Sequence, residues 1–310
     1  MNVYHELDRD AKRDPRPLVL AIGFFDGVHR GHREIIKALL RLRRPGLRAG
    51  VLTFPNHPMT YLRPEHAPPL ITTLGERINL LASTGIDDVY LVPFDERIAS
   101  IEARRFLEGT LVGTLEIRAL VFGENFRFGA QARGDAKLAE EVLRDHGVTV
   151  KAIAPLLDGG ERVSSTRVRA ALSRGDFESV NRLLGEPYVL RGRVALGKGR
   201  GHDLGFPTAN VDVPPQKTLP RDGVYAGVAR YDGRDYSALV SIGDNPTFGT
   251  GPKTVEAWLL DFSQSIYGEQ IALRDFRFLR DQRAFANPDE LVAQMREDAS
   301  HVGFPAFTLT

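Results

Sequence analysis

Two histidines, His29 and His32, stand two residues apart with Arg30-Gly31 between them, where an apolar run gives way to a helical pattern. The run is Leu18 to Ile22, ending on Gly23 as a buried parallel strand does. Beyond the histidines, Glu34 to Leu42 carries Ile35, Ile36, Leu39 and Leu42 on one stripe. A strand that hands over to a helix N-terminus in an open α/β sheet makes a crevice where helix amides face bound anions. Imidazole N–H groups in that crevice can neutralise phosphate without the bulk of lysine. By chance, His-x-Gly-His is expected at roughly 0.01 in a chain of 310 residues, taking average usage near 7% for glycine and ~2% for histidine. The pair therefore reads as a phosphate-binding element rather than as two surface histidines on a turn.

Three further loops extend this chemistry. Thr53-Phe54-Pro55-Asn56-His57-Pro58 follows a second apolar run, so His57 offers a donor beside an apolar wall. Phe122-Gly123-Glu124-Asn125-Phe126-Arg127-Phe128-Gly129 follows a fourth, with glycines that admit close backbone approach and phenylalanines that can line an aromatic slot. Ser164-Ser165-Thr166-Arg167-Val168-Arg169 opens a helical stretch, and hydroxyls with arginines at a helix start form an anion cradle. Together the four describe a site for a triphosphate and an aromatic partner.

The elements that must position these loops alternate. Strands are expected at Leu18–Ile22, Ala49–Phe54, Asp88–Pro93, Ala119–Phe122 and Thr149–Ile153, with helical patterns between them such as Thr73–Thr84 and Ala136–Asp145. Alternation of this kind implies a parallel, doubly wound sheet. After Gly185-Glu186-Pro187 the pattern changes to closely spaced strands: Tyr188–Ala195, Gly223–Tyr231, Arg234–Ile242, Thr254–Leu260 and Gln270–Leu279. That spacing suggests an antiparallel barrel or sandwich. Pro288 to His301 reads as a terminal helix that Asn287 can cap. The expected fold class is thus α/β plus β, with domains 1–185 and 186–310.

The second half carries its own chemistry. Gly197-Lys198-Gly199-Arg200-Gly201-His202 is glycine-rich and basic, and runs on to Pro207-Thr208-Ala209-Asn210. Gly197, Gly199 and Gly201 leave amides free to face phosphate oxygens, and Lys198 adds charge. Thr208 and Asn210 offer oxygen ligands two residues apart, on one side if the piece is extended, which suits Mg²⁺. Glu256 alternates with Val255 and Ala257 and so faces opposite to them, which leaves two readings: a lone carboxylate pointing into a barrel mouth, or the commoner exposed strand glutamate.

The first half resembles the nucleotidyltransferase superfamily, matched at His29 and His32. It is more similar to the adenylyltransferase half of the bifunctional riboflavin kinase/FMN adenylyltransferases, matched by Phe25-Asp26-Gly27-Val28-His29-Arg30-Gly31-His32 and Ser164-Ser165-Thr166-Arg167. Asp222-Gly223-Val224-Tyr225-Ala226-Gly227, Ile242-Gly243-Asp244-Asn245-Pro246-Thr247-Phe248 and Thr254-Val255-Glu256-Ala257-Trp258 resemble the riboflavin kinase half. Two departures stand out: Pro55-Asn56 replaces an acidic residue and proline before the loop histidine, and Asn125 replaces a frequent aspartate. The resemblance implies phosphorylation of riboflavin to FMN by ATP, then adenylylation of FMN to FAD with release of pyrophosphate. It implies Glu256 as general base and Thr208 and Asn210 as Mg²⁺ ligands of the kinase. On the adenylyltransferase side it implies catalytic His29 and His32. Gly23, Phe24, Asp26, Gly31, Asn125, Arg127, Ser164, Thr166 and Arg167 would serve ATP, and His57, Pro58 and Phe128 the flavin.

Composition bounds the alternatives. Lys and Arg (41) balance Asp and Glu (40), which argues against a nucleic-acid partner. Zero cysteines exclude disulfides and thiolate chemistry. No apolar run approaches the ~18 residues of a membrane helix, and the expected location is cytoplasmic. Two rivals are a single-activity nucleotidyltransferase with a decayed barrel used in oligomer contacts, and a non-catalytic flavin- or RNA-binding protein using the basic loop. Intact Thr208, Asn210 and Glu256 count against both.

Overall fold

The computed structural model describes residues 1–5, 7, 14, 16–196, 206–244 and 253–302. Contacts divide the chain into two units, Met1–Ser165 and Thr166–Thr310.

The first unit is built on a parallel six-stranded sheet: β1 (Asn2–Tyr4), β2 (Leu18–Ile22), β3 (Arg48–Thr53), β4 (Asp88–Leu91), β5 (Ile117–Gly123) and β6 (Thr149–Ile153). Its order is β1-β4-β3-β2-β5-β6. Helices α1 (Arg30–Leu42), α2 (Pro58–Leu62), α3 (Leu74–Ala82), α4 (Glu96–Ala99), α5 (Ala103–Arg105) and α6 (Ala136–Arg144) fall between the strands, and a short hairpin, β7 (Leu157–Asp158) with β8 (Glu161–Arg162), follows β6. Every residue of β2 and β3 is buried, as expected of strands covered on both faces. Leu18, Leu20 and Ile22 pack on one side with Leu52, Leu120 and Phe122, while Val19 and Ala21 meet Ile36 and Leu39 of α1 on the other. Each such side chain contributes about 1.5–3 kcal/mol by leaving water. The chain winds outward from β2 to β4, then returns to place β5 on the other side of β2. The order therefore reverses at β2, and the crevice beyond the carboxyl ends of β2 and β5 is the natural ligand site of such a sheet.

The expected strands of this half are present, each end within two residues. The edge strand β1 was not expected, because only three residues emerge from a polar terminus. It is held to β4 by the ladder from Asn2 to Tyr4 and by Asn2 Nδ2 donating to Asp88 Oδ1 at 3.0 Å. Helix α1 begins at Arg30 rather than near Glu34, since His29 caps it and draws His32 into the first turn.

The second unit opens with α7 (Ser165–Leu172, its first residue closing the first unit) and α8 (Phe177–Leu184), then forms a closed antiparallel barrel. Its strands are β9 (Leu190–Ala195), β10 (Thr208–Asp212), β11 (Gly223–Tyr231), β12 (Arg234–Gly243), β13 (Thr254–Leu259) and β14 (Gln270–Arg280), followed by α9 (Pro288–Ser300). Asn287 caps α9, its side chain accepting from Glu290 N. Phe177 of α8 stacks on Phe276 of β14 with centroids 5.0 Å apart, so α8 packs with the barrel.

An ion pair is buried in the first unit's sheet. The Asp88 carboxylate is fully enclosed and accepts hydrogen bonds from Asn2 and from the Arg48 guanidinium, itself 3% exposed. Breaking one member of a buried pair strands the other charge. Asp88→Asn is expected to destabilise the protein by about 3–5 kcal/mol, read as a lower urea midpoint at unchanged slope. A loss below about 1 kcal/mol would mean that Arg48 is satisfied without it.

Candidate active site

Between β2 and α1 the backbone enters conformations that side chains resist. Phe25 (φ 57°) and Val28 (φ 40°) are left-handed along with Gly27 (φ 78°), although both side chains are fully buried. Such residues cost of order 1–3 kcal/mol each and persist only where the surroundings over-determine them. Here Asp26 does so. Its Oδ2 accepts from Ile71 N at 3.0 Å and its Oδ1 from Thr72 N at 3.0 Å and Thr72 Oγ1 at 3.1 Å. Thr72 Oγ1 in turn accepts from Gly27 N at 3.0 Å, and Ser165 Oγ donates to the Asp26 carbonyl at 3.1 Å. Both Asp26 carboxylate oxygens thus serve the main chain of the loop.

The turn presents its two histidines as a stack. The His29 and His32 rings lie 3.6 Å apart and 13° from parallel, with Phe25 5.1 Å from His32. His29 is 5% exposed, and its Nδ1 accepts from His32 N at 3.2 Å, which leaves Nε2 as the protonated nitrogen. Burial pushes the His32 imidazole well below its ordinary range, and His29, Arg162 and Arg77 push it the same way. The His32 Nδ1 is buried with no partner among the described residues. Gly31 is required for close approach: a Cβ there would lie 3.2 Å from the His29 ring and 3.3 Å from the Val163 carbonyl. The segment before Ser164 therefore runs along the first turn of α1, where Arg30 also pairs with Asp158 at 3.2 Å. Imidazoles at a helix start are donors suited to phosphate oxygens.

At the end of β3, His57 caps α2 by accepting from Met59 N at 3.1 Å, and Pro58 occupies the first helical position. The Phe24 ring meets the edge of His57 with centroids 4.5 Å apart, so this loop touches the histidine turn. Gly23 N donates to Leu52 O at 3.2 Å. Beyond β5, Asn125 and Arg127 are exposed, whereas Phe128 is 8% exposed and packs with Phe106, Phe122 and Phe126. Thr166 and Arg167 lie in the first turn of α7.

In the barrel, β10 and β13 alternate. Ala209, Val211, Val255, Ala257 and Leu259 are buried, and their partners across the ladder include Val240 and Ile242, also buried. Asn210, Glu256 and Ser241 form a single row on the opposite face. Glu256 therefore does not point into the barrel: the interior belongs to its apolar neighbours, and the carboxylate shares the outer face with Asn210 and Thr208. Gln282, a residue no motif singles out, donates to Ser241 Oγ at 2.9 Å on this row. Gly197, Lys198, Gly199 and Gly201 lie outside the described residues, as do Asn245 to Phe248.

Comparison with known proteins follows the same division. A family model for FAD synthetase matches residues 11–167, and one for riboflavin kinase matches residues 184–303. Proteins described as bifunctional riboflavin kinase/FMN adenylyltransferase align along most of the chain. That of Escherichia coli K12 is 36% identical over 282 residues, covering 90% of each chain. That of Bacillus subtilis is 34% identical over 292 residues, covering 93% of this chain and 92% of its own. The chain belongs to the bifunctional riboflavin kinase/FMN adenylyltransferase family. A crystal structure described as a macrolide-efflux protein from Streptococcus pneumoniae matches 99% of both chains with a TM-score of 0.87 at 29% identity. Among the described residues no helix is long and apolar enough to cross a membrane.

Asn56, beside His57, makes a paired bond to the main chain of Phe94. Its Nδ2 donates to Phe94 O at 2.9 Å while its Oδ1 accepts from Phe94 N at 3.0 Å. Asn56 thus ties the loop after β3 to the loop after β4 through its side chain.

The buried neutral state of His32 has a pH signature. An unfolded chain takes up a proton near the ordinary value of 6.5 that the folded imidazole refuses. Stability is then complete above that value and falls as pH drops below it, by up to ~1.4 kcal/mol per unit, until the folded imidazole itself titrates. His32→Asn is expected to show a shallower loss than the parent between about pH 7 and about pH 5 in urea unfolding. Equal slopes would show that His32 is protonated in the folded protein.

Proposed function

We infer that this chain carries both activities of its family: it phosphorylates riboflavin to FMN with ATP, then adenylylates FMN to FAD. The observation that carries the adenylyl-transfer half is the His29–His32 stack at the sheet's reversal point, with a buried His32 Nδ1 that nothing described satisfies. Adenylyl transfer needs no base, because the FMN phosphate is already an anion. One of its oxygens attacks the α-phosphorus of ATP, the bond to the bridging oxygen breaks, and pyrophosphate leaves. Imidazole N–H donors beside that oxygen stabilise the charge as it develops. Asn125, Arg127, Ser164, Thr166 and Arg167 would hold the triphosphate. Gly23, Phe24 and Gly31 bring the backbone close to it, and Asp26 holds the loop in shape. His57, Pro58 and Phe128 would border the flavin, with Phe128 acting as a wall from within the aromatic cluster.

For the kinase, Glu256 would accept the proton of the ribityl 5′-hydroxyl as that oxygen attacks the γ-phosphorus and ADP leaves. Thr208 and Asn210 fit Mg²⁺: two neutral oxygen donors on one face of β10, with a carboxylate registered directly across from Asn210. Bound there with ATP, the ion would neutralise phosphate charge. Gly197, Lys198, Gly199 and Gly201 complete the phosphate cradle in this reading. The proposal assigns adenylyl transfer to 1–185, riboflavin phosphorylation to 186–310, and the protein to the cytoplasm, where the absence of cysteine is unremarkable.

Two variants of the full chain test the division, with flavins separated by chromatography. Glu256→Gln is expected to lower FMN formation by ~10²–10⁴-fold while FMN supplied directly still becomes FAD. An unchanged kinase rate would move the base to another residue. His29→Ala/His32→Ala is expected to do the reverse, with a loss chiefly in kcat, since one missing donor of this kind costs about 3 kcal/mol. A folded double variant that makes FAD at the parental rate would remove the nucleotidyltransferase reading.

A further inference from the structure

Arg77 belongs to no motif. It lies on α3 and is 1% exposed, among the largest side chains fully buried in the protein. A guanidinium taken out of water is costly unless its donors are met, and two of its three nitrogens are met by carbonyls alone. One terminal nitrogen donates to Phe24 O at 2.9 Å; the other donates to Phe54 O at 2.7 Å and to Pro55 O at 3.3 Å. Its Nε has no partner among the described residues. The guanidinium carbon lies 4.3 Å from the centroid of the Phe24 ring, which also packs against His57. Burial drives the group down to about 10, with Asp26 as the opposing anion.

The three carbonyls belong to two loops. Phe24 begins the turn that carries His29 and His32, and Phe54-Pro55 leads into Asn56-His57. Thr53 Oγ1 also donates to Phe24 O, at 2.9 Å, so that carbonyl is gripped from β3 and from α3. Helix α3 is itself fixed by a capping box between Thr73 and Glu76, one residue beyond the amides held by Asp26. A rigid fork thus reaches from an anchored helix to the ends of two neighbouring strands. A lysine, with one compact charge, cannot span both in this way.

We propose that Arg77 is a positioning residue for adenylyl transfer, setting the separation between the histidine turn and the His57 loop and hence between triphosphate and flavin phosphate. The proposal rests on the function inferred above. In-line attack is sensitive to such a distance: a misplacement near 1 Å can cost ~10²-fold.

The test uses the full chain and both assays. The parent protein is measured first with FMN and ATP; if it makes no FAD, the inferred function fails and Arg77 is not at issue. Given parental activity, Arg77→Met is expected to lower kcat and raise the FMN KM together, a loss of at least ~10-fold in kcat/KM, per molecule whose first unit is folded. Amide hydrogen exchange in β2 and β3 measures that folded fraction, since the kinase rate reports only the barrel. Arg77→Lys is expected to fall between Met and the parent. A support role for the fold alone would lower the folded fraction of the first unit and leave the FMN constants per folded molecule unmoved. Unchanged FMN constants in Arg77→Met, normalised to that fraction, overturn the proposal. If the Met variant does not fold its first unit, Arg77→Lys decides: parental constants overturn the proposal, and a loss of adenylyl transfer at parental protection of β2 and β3 supports it.

Discussion

The carboxylate of Asp26 is the interaction on which the first unit's chemistry depends. It is buried at 1% exposure and spends its oxygens on the amides of Ile71 and Thr72 and on the Thr72 hydroxyl. That bond set fixes the start of the segment leading to α3 against a turn in which two buried, non-glycine residues adopt left-handed backbone. Charge-assisted bonds to amides are the strong kind, and few other devices hold such a turn closed. The geometry that follows is compulsory: His29 caps α1, His32 stacks on it, and Gly31 lets the Val163 carbonyl approach.

The two units gather polar groups by different means. In the parallel sheet, loops collect at the carboxyl edge where the strand order reverses, and the groups they bring there are imidazoles, hydroxyls and a helix start. The barrel has no such edge. There, a cross-strand row at Asn210, Glu256 and Ser241 brings donor and acceptor groups from three strands onto one face through register alone. Alternation makes this possible, because each polar residue sits between two apolar ones that fill the interior.

Much of this was legible in the amino-acid order, for reasons that differ by element. Leu18–Ile22 declares itself because a strand buried on both faces must be continuously apolar. The histidine motif declares itself because few chemistries need two imidazoles across Arg-Gly. By contrast, β1 has three residues and no alternation to read, and β10 is short and follows a glycine-rich stretch that reads as a turn. The direction of Glu256 could not be read, since alternation says which residues share a face but not which face is interior; the buried partners Val240 and Ile242 decide that. Arg77 and Asn56 were invisible for another reason. Their partners are backbone carbonyls and amides, which carry no side-chain signature, at separations of 22 to 53 residues.

The central claim is that one chain moves the γ-phosphoryl group of one ATP and the adenylyl group of another onto the same flavin. Labelled ATP measures this directly when purified protein is incubated with riboflavin and a divalent cation. Label at the γ-phosphorus should enter FMN and persist in FAD, whereas label at the α-phosphorus should be absent from FMN and present in FAD. Entry of α-label into FMN, or a flavin pool that takes up neither label, would contradict the account.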